Sequence, residues 1–180
     1  FLTRSPAEAL ELMRAPVAAL SAIHQFGVVH RNIKPGKLLV CGESLVAPTP
    51  VKLLDFGLAK APSLTRLTET GEILGTVTYL SPEQITDREV LPAGDVYALG
   101  VVFYELLTLE KPFLGDNPGE IVRAILDANP LEPKQLRTEL PAELNSLVLR
   151  MIREDAGMRP TGADVAIELD RCREATTPPP

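Results

Sequence analysis

The chain has 180 residues, 45% of them hydrophobic and 23% charged, which suits one globular domain and excludes wholesale disorder. Eighteen basic against 24 acidic residues give a net charge of -6, and an acidic surface of this kind repels nucleic-acid phosphates. Two distant cysteines, Cys41 and Cys172, exclude a disulfide framework or zinc knuckle and suit a reducing compartment such as the cytoplasm. No secretory signal is visible. The longest apolar stretch, Val96 to Leu109, is interrupted by Glu105 and is too short to span a bilayer. The sequence starts at Phe1, which predicts a piece of a longer protein.

Seventeen prolines, against an average usage of about 5%, punctuate the chain into short elements. Ser5 to Phe26 predicts a helix: Ser5 can cap, Pro6 fits the first turn, and Leu10, Met13, Val17 and Leu20 recur at helical spacing. Pro16 is expected to kink it or divide it in two, and Gly27 to end it. Val28-Val29, Leu38 to Val40 and Val51 to Leu54 are short β-type runs around polar loops. Leu58 to about Ile85 shows no sustained periodicity and reads as a long loop, of the kind that is functional or mobile.

Asp95 to Leu109, apolar nearly all round, predicts a buried central helix. Further helices are predicted over Pro118 to Asp127, Pro141 to Glu154 and Thr161 to Glu174. The expected organisation is one domain over residues 1–174 and a Pro-rich linker stub over 175–180.

The chemistry-bearing residues come in a fixed order. His30-Arg31-Asn32-Ile33-Lys34-Pro35-Gly36-Lys37 is followed by Asp55-Phe56-Gly57, Asp55 coming 18 positions after Lys37. Gly75-Thr76, Ser81-Pro82-Glu83, Asp95-Val96-Tyr97-Ala98-Leu99-Gly100 and Arg159-Pro160 follow. This series resembles the C-terminal lobe of eukaryotic-type Ser/Thr protein kinases, and the stretch from Gly71 to Gln84 looks most like their bacterial branch. Each motif alone is weak; together in this order they are specific.

The resemblance implies a mainly α fold with a few short β-strands, the large kinase lobe without its β-rich small lobe. It implies ATP and Mg²⁺ as cofactors and a protein as substrate or partner. Asp55 matches the D-F-G metal ligand, Lys34 the lysine that steadies the γ-phosphate, and Leu39 the floor beneath the adenine. Thr76 matches the threonine linking the substrate-docking loop to the catalytic loop. His30 would pack on Phe56, Glu83 would pair with Arg159, and Asp95 would accept hydrogen bonds from the catalytic-loop backbone. Arg31 would meet a phosphate on the long loop, with Thr65, Thr68 and Thr70 as candidate phosphosites.

Two positions depart from the pattern. Asn32 stands where the proton-accepting Asp belongs, and an amide cannot take that proton; losing a general base costs about 10²–10⁴-fold in rate, roughly 3–5 kcal/mol of barrier. Lys37 stands at the lost metal-ligand position, where a charged ammonium has no lone pair to offer. An ammonium about 4 Å from Mg²⁺ is repelled by up to roughly 8 kcal/mol at an effective dielectric of about 20.

The Gly-rich loop, β3 lysine and αC glutamate of the family would all precede the first helix. The expected small lobe thus lies outside this chain, and ATP affinity for the chain alone is weak or absent. The leading expectation is a catalytically impaired pseudokinase that binds or scaffolds. The alternative is an ATP-dependent Ser/Thr kinase whose small lobe is supplied elsewhere in the gene product.

Overall fold

The computed structural model describes residues 5–41, 51–55 and 73–176. Helix α1 runs Pro6–Gln25, with Ser5 accepting the Glu8 N–H at 3.3 Å as its N-cap. It is one continuous helix, so the expected division at Pro16 does not occur. A proline in a helix interior costs about 3 kcal/mol. Here Pro16 is buried on the same face as Met13, Val17 and Leu20, and burying each such side chain contributes about 1.5–3 kcal/mol in return. Gly27, at φ +69, turns the chain away, a conformation glycine adopts without steric cost.

Val28-Val29 forms no strand, contrary to the sequence reading. The Val28 N–H is drawn back to the Ile23 carbonyl, and the N–H groups of His30 and Arg31 go to a side chain. A 3₁₀ turn over Pro35–Lys37 then opens the ribbon of β1, Leu38–Val40, and β2, Val51–Leu53. The pairing is antiparallel, Leu38 opposite Leu53 and Val40 opposite Val51. One step beyond the ladder, the Leu54 N–H donates to the Lys37 carbonyl at 2.9 Å. Register alone therefore sets Lys37 beside the Leu54-Asp55 corner.

Two short helices lie within the stretch read as loop: α2, Ile73–Val77, and α3, Pro82–Ile85. Both are shorter than any window in which helical periodicity can be seen. Ser81 and Gln84 close a reciprocal capping box on α3, with the Ser81 N–H donating to Gln84 Oε1 at 3.0 Å.

Helix α4, Pro92–Thr108, is the axis of the lobe; Pro92 starts it three residues before the predicted Asp95. Every residue from Gly94 to Tyr104 is buried, which is why the sequence is apolar all round. A Cβ on Gly100 would lie 2.7 Å from Met151 Cβ and 2.9 Å from Ile152 Cγ2, so this glycine lets the neighbouring helix approach. Gly100→Val is expected to cost about 1–3 kcal/mol by overpacking. Urea titration would show this as a lower midpoint at unchanged slope.

Helices α5, Pro118–Asp127, and α6, Pro133–Leu136, follow. Helix α7, Ala142–Met151, stops three residues before the predicted Glu154. The freed carbonyls of Arg153 and Glu154 turn instead to the Arg159 guanidinium. Helix α8, Gly162–Thr176, opens on a reciprocal Thr161–Asp164 cap and reaches two residues into the predicted linker stub. Its first turn lies against Ser21 of α1: a Cβ on Gly162 would be 3.3 Å from Ser21 Cα. Helix α1 packs on α8 and α4, and α4 on α7, giving a mainly α lobe that carries one two-stranded ribbon among the described residues.

Candidate functional site: a clamped loop facing the Asp55 corner

Asp95, in the first turn of α4, is 1% exposed. A buried carboxylate is costly unless its oxygens are satisfied. Oδ2 accepts the His30 N–H at 2.7 Å and lies 3.0 Å from His24 Nε2, while Oδ1 accepts the Arg31 N–H at 2.7 Å. The clamp holds Arg31 at φ +67, a left-handed conformation that a non-glycine side chain adopts only under constraint. Gln84 Nε2 adds a bond to the Arg31 carbonyl at 3.0 Å. Asp95→Ala leaves these N–H groups unpaired and is expected to destabilise the protein by about 2–4 kcal/mol. Amide exchange should accelerate first at His30 and Arg31.

The His30 ring, itself 1% exposed, joins this loop to the ribbon. Nε2 lies 2.8 Å from the Leu54 carbonyl, and the Asn32 N–H lies 3.3 Å from Nδ1. A carbonyl only accepts and an N–H only donates, so the neutral ring carries its proton on Nε2. One imidazole therefore separates the Asn32 backbone from the residue next to Asp55.

Asp55 also sits in the left-handed region, at φ +60, and turns its carboxylate onto Lys37. Lys37 Nζ donates to Asp55 Oδ2 at 2.6 Å. That hydrogen bond, helped by the ammonium charge, holds the Asp55 carboxyl below the usual carboxylate range. Lys34, at the head of the same 3₁₀ turn, donates from Nζ to Thr76 Oγ1 at 3.2 Å. Asn32, Lys34, Thr76, Tyr79 and Gln84 line one narrow cleft. Leu39 is 48% exposed on β1, on the strand beside this corner. Chemically, the loop offers an amide at position 32 and ammonium groups at 34 and 37, with one carboxylate at 55.

Glu83 and Arg159 meet in the base of the lobe as a two-pronged pair, Nη1 to Oε1 at 2.7 Å and Nη2 to Oε2 at 3.0 Å. Nη1 also reaches the Ala93 carbonyl, Nη2 that of Glu154, and Nε that of Arg153. All five guanidinium donors are thus used, and the group lies 4.8 Å from the Tyr97 ring centroid.

The structure therefore pairs Lys37 with Asp55 and Lys34 with Thr76, sets Asn32, Lys34 and Thr76 along one cleft, and links Asn32 through the His30 ring to Leu54, the neighbour of Asp55; Asp95 holds the backbone of the loop, and Glu83 pairs with Arg159. Phe56 and the threonines Thr65, Thr68 and Thr70 lie outside the described residues, as does the end of the predicted stub from Thr177. Two contacts were not legible in the sequence. His24, on the first helix, reads as a structural residue, but nothing local signals its bond to Asp95, 71 positions away. Gln84 is signalled only by the S-x-x-Q cap spacing, which says nothing of Arg31.

A mainly helical lobe built around such a clamped loop is what the protein kinase fold provides below its nucleotide, and the family comparison agrees: the protein kinase domain profile matches residues 2–169, so the chain belongs to that family. It is 38% identical over 172 residues to the serine/threonine-protein kinases PknA of Corynebacterium glutamicum, covering 95% of this chain and 35% of that relative. It is 34% identical over 177 residues to the serine/threonine-protein kinase PknB of Mycolicibacterium smegmatis, covering 97% of this chain and 28% of that relative. The chain spans about a third of the length of the curated relatives it matches. It is a protein kinase-like domain related to bacterial Ser/Thr kinases. No helix among the described residues is long and apolar enough to cross a membrane.

Proposed function

We propose that this chain is the large lobe of a catalytically impaired protein kinase, a pseudokinase of the cytoplasm that acts by binding or scaffolding a protein partner. The observation that carries the reading is Asn32. It follows a backbone held by Asp95 and is tied through its own N–H to His30, and by resemblance to the family its amide stands where a proton acceptor belongs, without the means to be one. Kinases of this family use ATP and Mg²⁺. Among the described residues the donor set does not fit a magnesium ion: Asp55 gives the one carboxylate at this corner, and the second ligand position holds an ammonium already bonded to it. Radiolabelled γ-phosphate transfer by the full-length gene product tests the reading. Background transfer is expected; robust turnover that disappears in Asp55→Ala would overturn it.

The Lys34–Thr76 bond favours a second reading, a Ser/Thr kinase whose small lobe lies upstream. Lys34 and Asp55 would then supply the electrostatics, Asn32 would only orient the substrate hydroxyl, and the small lobe would close over Leu39. An upstream reading frame with G-x-G-x-x-G and a V-A-x-K lysine separates the two.

A further inference from the structure

The misfit with magnesium has a positive side. Lys37 is not a loose surface lysine. Its backbone carbonyl is tied to the Leu54 N–H across the ribbon, and its ammonium reaches the carboxylate that the next residue, held left-handed, presents to it. The lysine side chain is 22% exposed and the aspartate side chain 67%, so the pair lies on the open face, not in the core. An ion pair this exposed contributes little to folding. Its geometry nonetheless sets a single positive charge against the carboxylate at the place where the family seats a cation. Among the described residues, no three His, Cys, Asp or Glu side chains converge to hold an ion.

We propose that Lys37 is a built-in cation, and that this face takes a nucleoside polyphosphate as the metal-free anion in preference to its magnesium complex. An ammonium has three donors. One is on Asp55, which leaves two for phosphate oxygens, and such charge-assisted bonds are the strong kind. A phosphate chain that arrives with Mg²⁺ brings a second cation to a position already filled, where the two positive charges repel. A bare chain meets an ammonium that already offsets the charge of the exposed Asp55 carboxylate beside it.

The inference rests on the impaired-kinase reading but fails separately from it, because it is read from binding and not from turnover. ATP is titrated calorimetrically into the full-length gene product, once in EDTA and once in excess MgCl₂. Metal-free ATP is expected to bind about tenfold or more tightly than the magnesium complex. Lys37→Asn should lose about tenfold of the metal-free affinity and gain a requirement for magnesium, whereas Lys37→Arg, which keeps the charge, should retain metal-free binding. An unchanged thermal midpoint in Lys37→Asn shows that the fold is kept; if that variant does not fold, Lys37→Arg and the two wild-type titrations decide. Tighter binding of the magnesium complex by the wild type overturns the inference even if phosphotransfer stays at background. So does the absence of saturable binding in both buffers, or unchanged metal-free affinity in Lys37→Asn.

Discussion

Arg159→Ala is expected to lower the unfolding free energy by about 3–5 kcal/mol, the range for removing one member of a buried ion pair. Three losses combine. Glu83, with a side chain only 10% exposed, keeps a charge without its counter-ion. The carbonyls of Ala93, Arg153 and Glu154 lose their guanidinium donors. The Tyr97 ring, stacked on Phe113 at 6.4 Å, loses the cation above it. At this chain length the thermal midpoint should fall by roughly 6–20 °C. Arg159→Lys keeps the charge but not the fork, so it should recover less than half of the loss. Replacing both partners, Glu83→Leu with Arg159→Met, should be less damaging than Arg159→Ala, because no lone charge stays buried. Guanidinium unfolding of the three variants checks the order. A loss under about 1 kcal/mol for Arg159→Ala would show that the pair is decoration.

The reach of that ion pair explains what could be read from the sequence. Helices with a long apolar face, α1 and α5, are legible because the residues of that face recur within one or two turns along the chain. So is the central helix, whose all-round apolarity reflects burial on every side. Glu83 and Arg159 are 76 positions apart, and Asp95 lies 65 from His30; no local pattern links such residues, and only the resemblance to a family suggested them. The end of α7 was misjudged for the same reason. Its apolar face continues through Ile152, but the next two carbonyls are claimed by a guanidinium that follows them in sequence. Val28-Val29 has the composition of a strand, yet a strand needs free backbone donors. Here they are taken by the end of α1 and by Asp95. The Lys37–Asp55 bond is an intermediate case. Both residues stand out as motif positions, but that they touch follows from the ribbon register.

Restoring the two missing functions should restore chemistry. The full-length gene product carrying Asn32→Asp and Lys37→Asn together is expected to transfer the γ-phosphate of ATP at least about 10²-fold faster than the unaltered protein, the lower bound for regaining a general base. The geometry favours success. Asp is nearly isosteric with Asn, and the backbone of residue 32 is held through its N–H by the His30 ring, so the new carboxylate starts where the amide was. Removing the ammonium frees Asp55 Oδ2 and leaves an amide oxygen beside it as a second neutral ligand. The two changes should be strongly non-additive, because a base without a seated cation, or a cation without a base, completes neither half of the transition state. Asn32→Asp alone should therefore gain little. Asp55→Ala on the double variant should return it to background. If the double variant binds magnesium-ATP and still transfers at the unaltered rate, these two side chains are not what silences the lobe, and the impairment assigned to Asn32 falls with them.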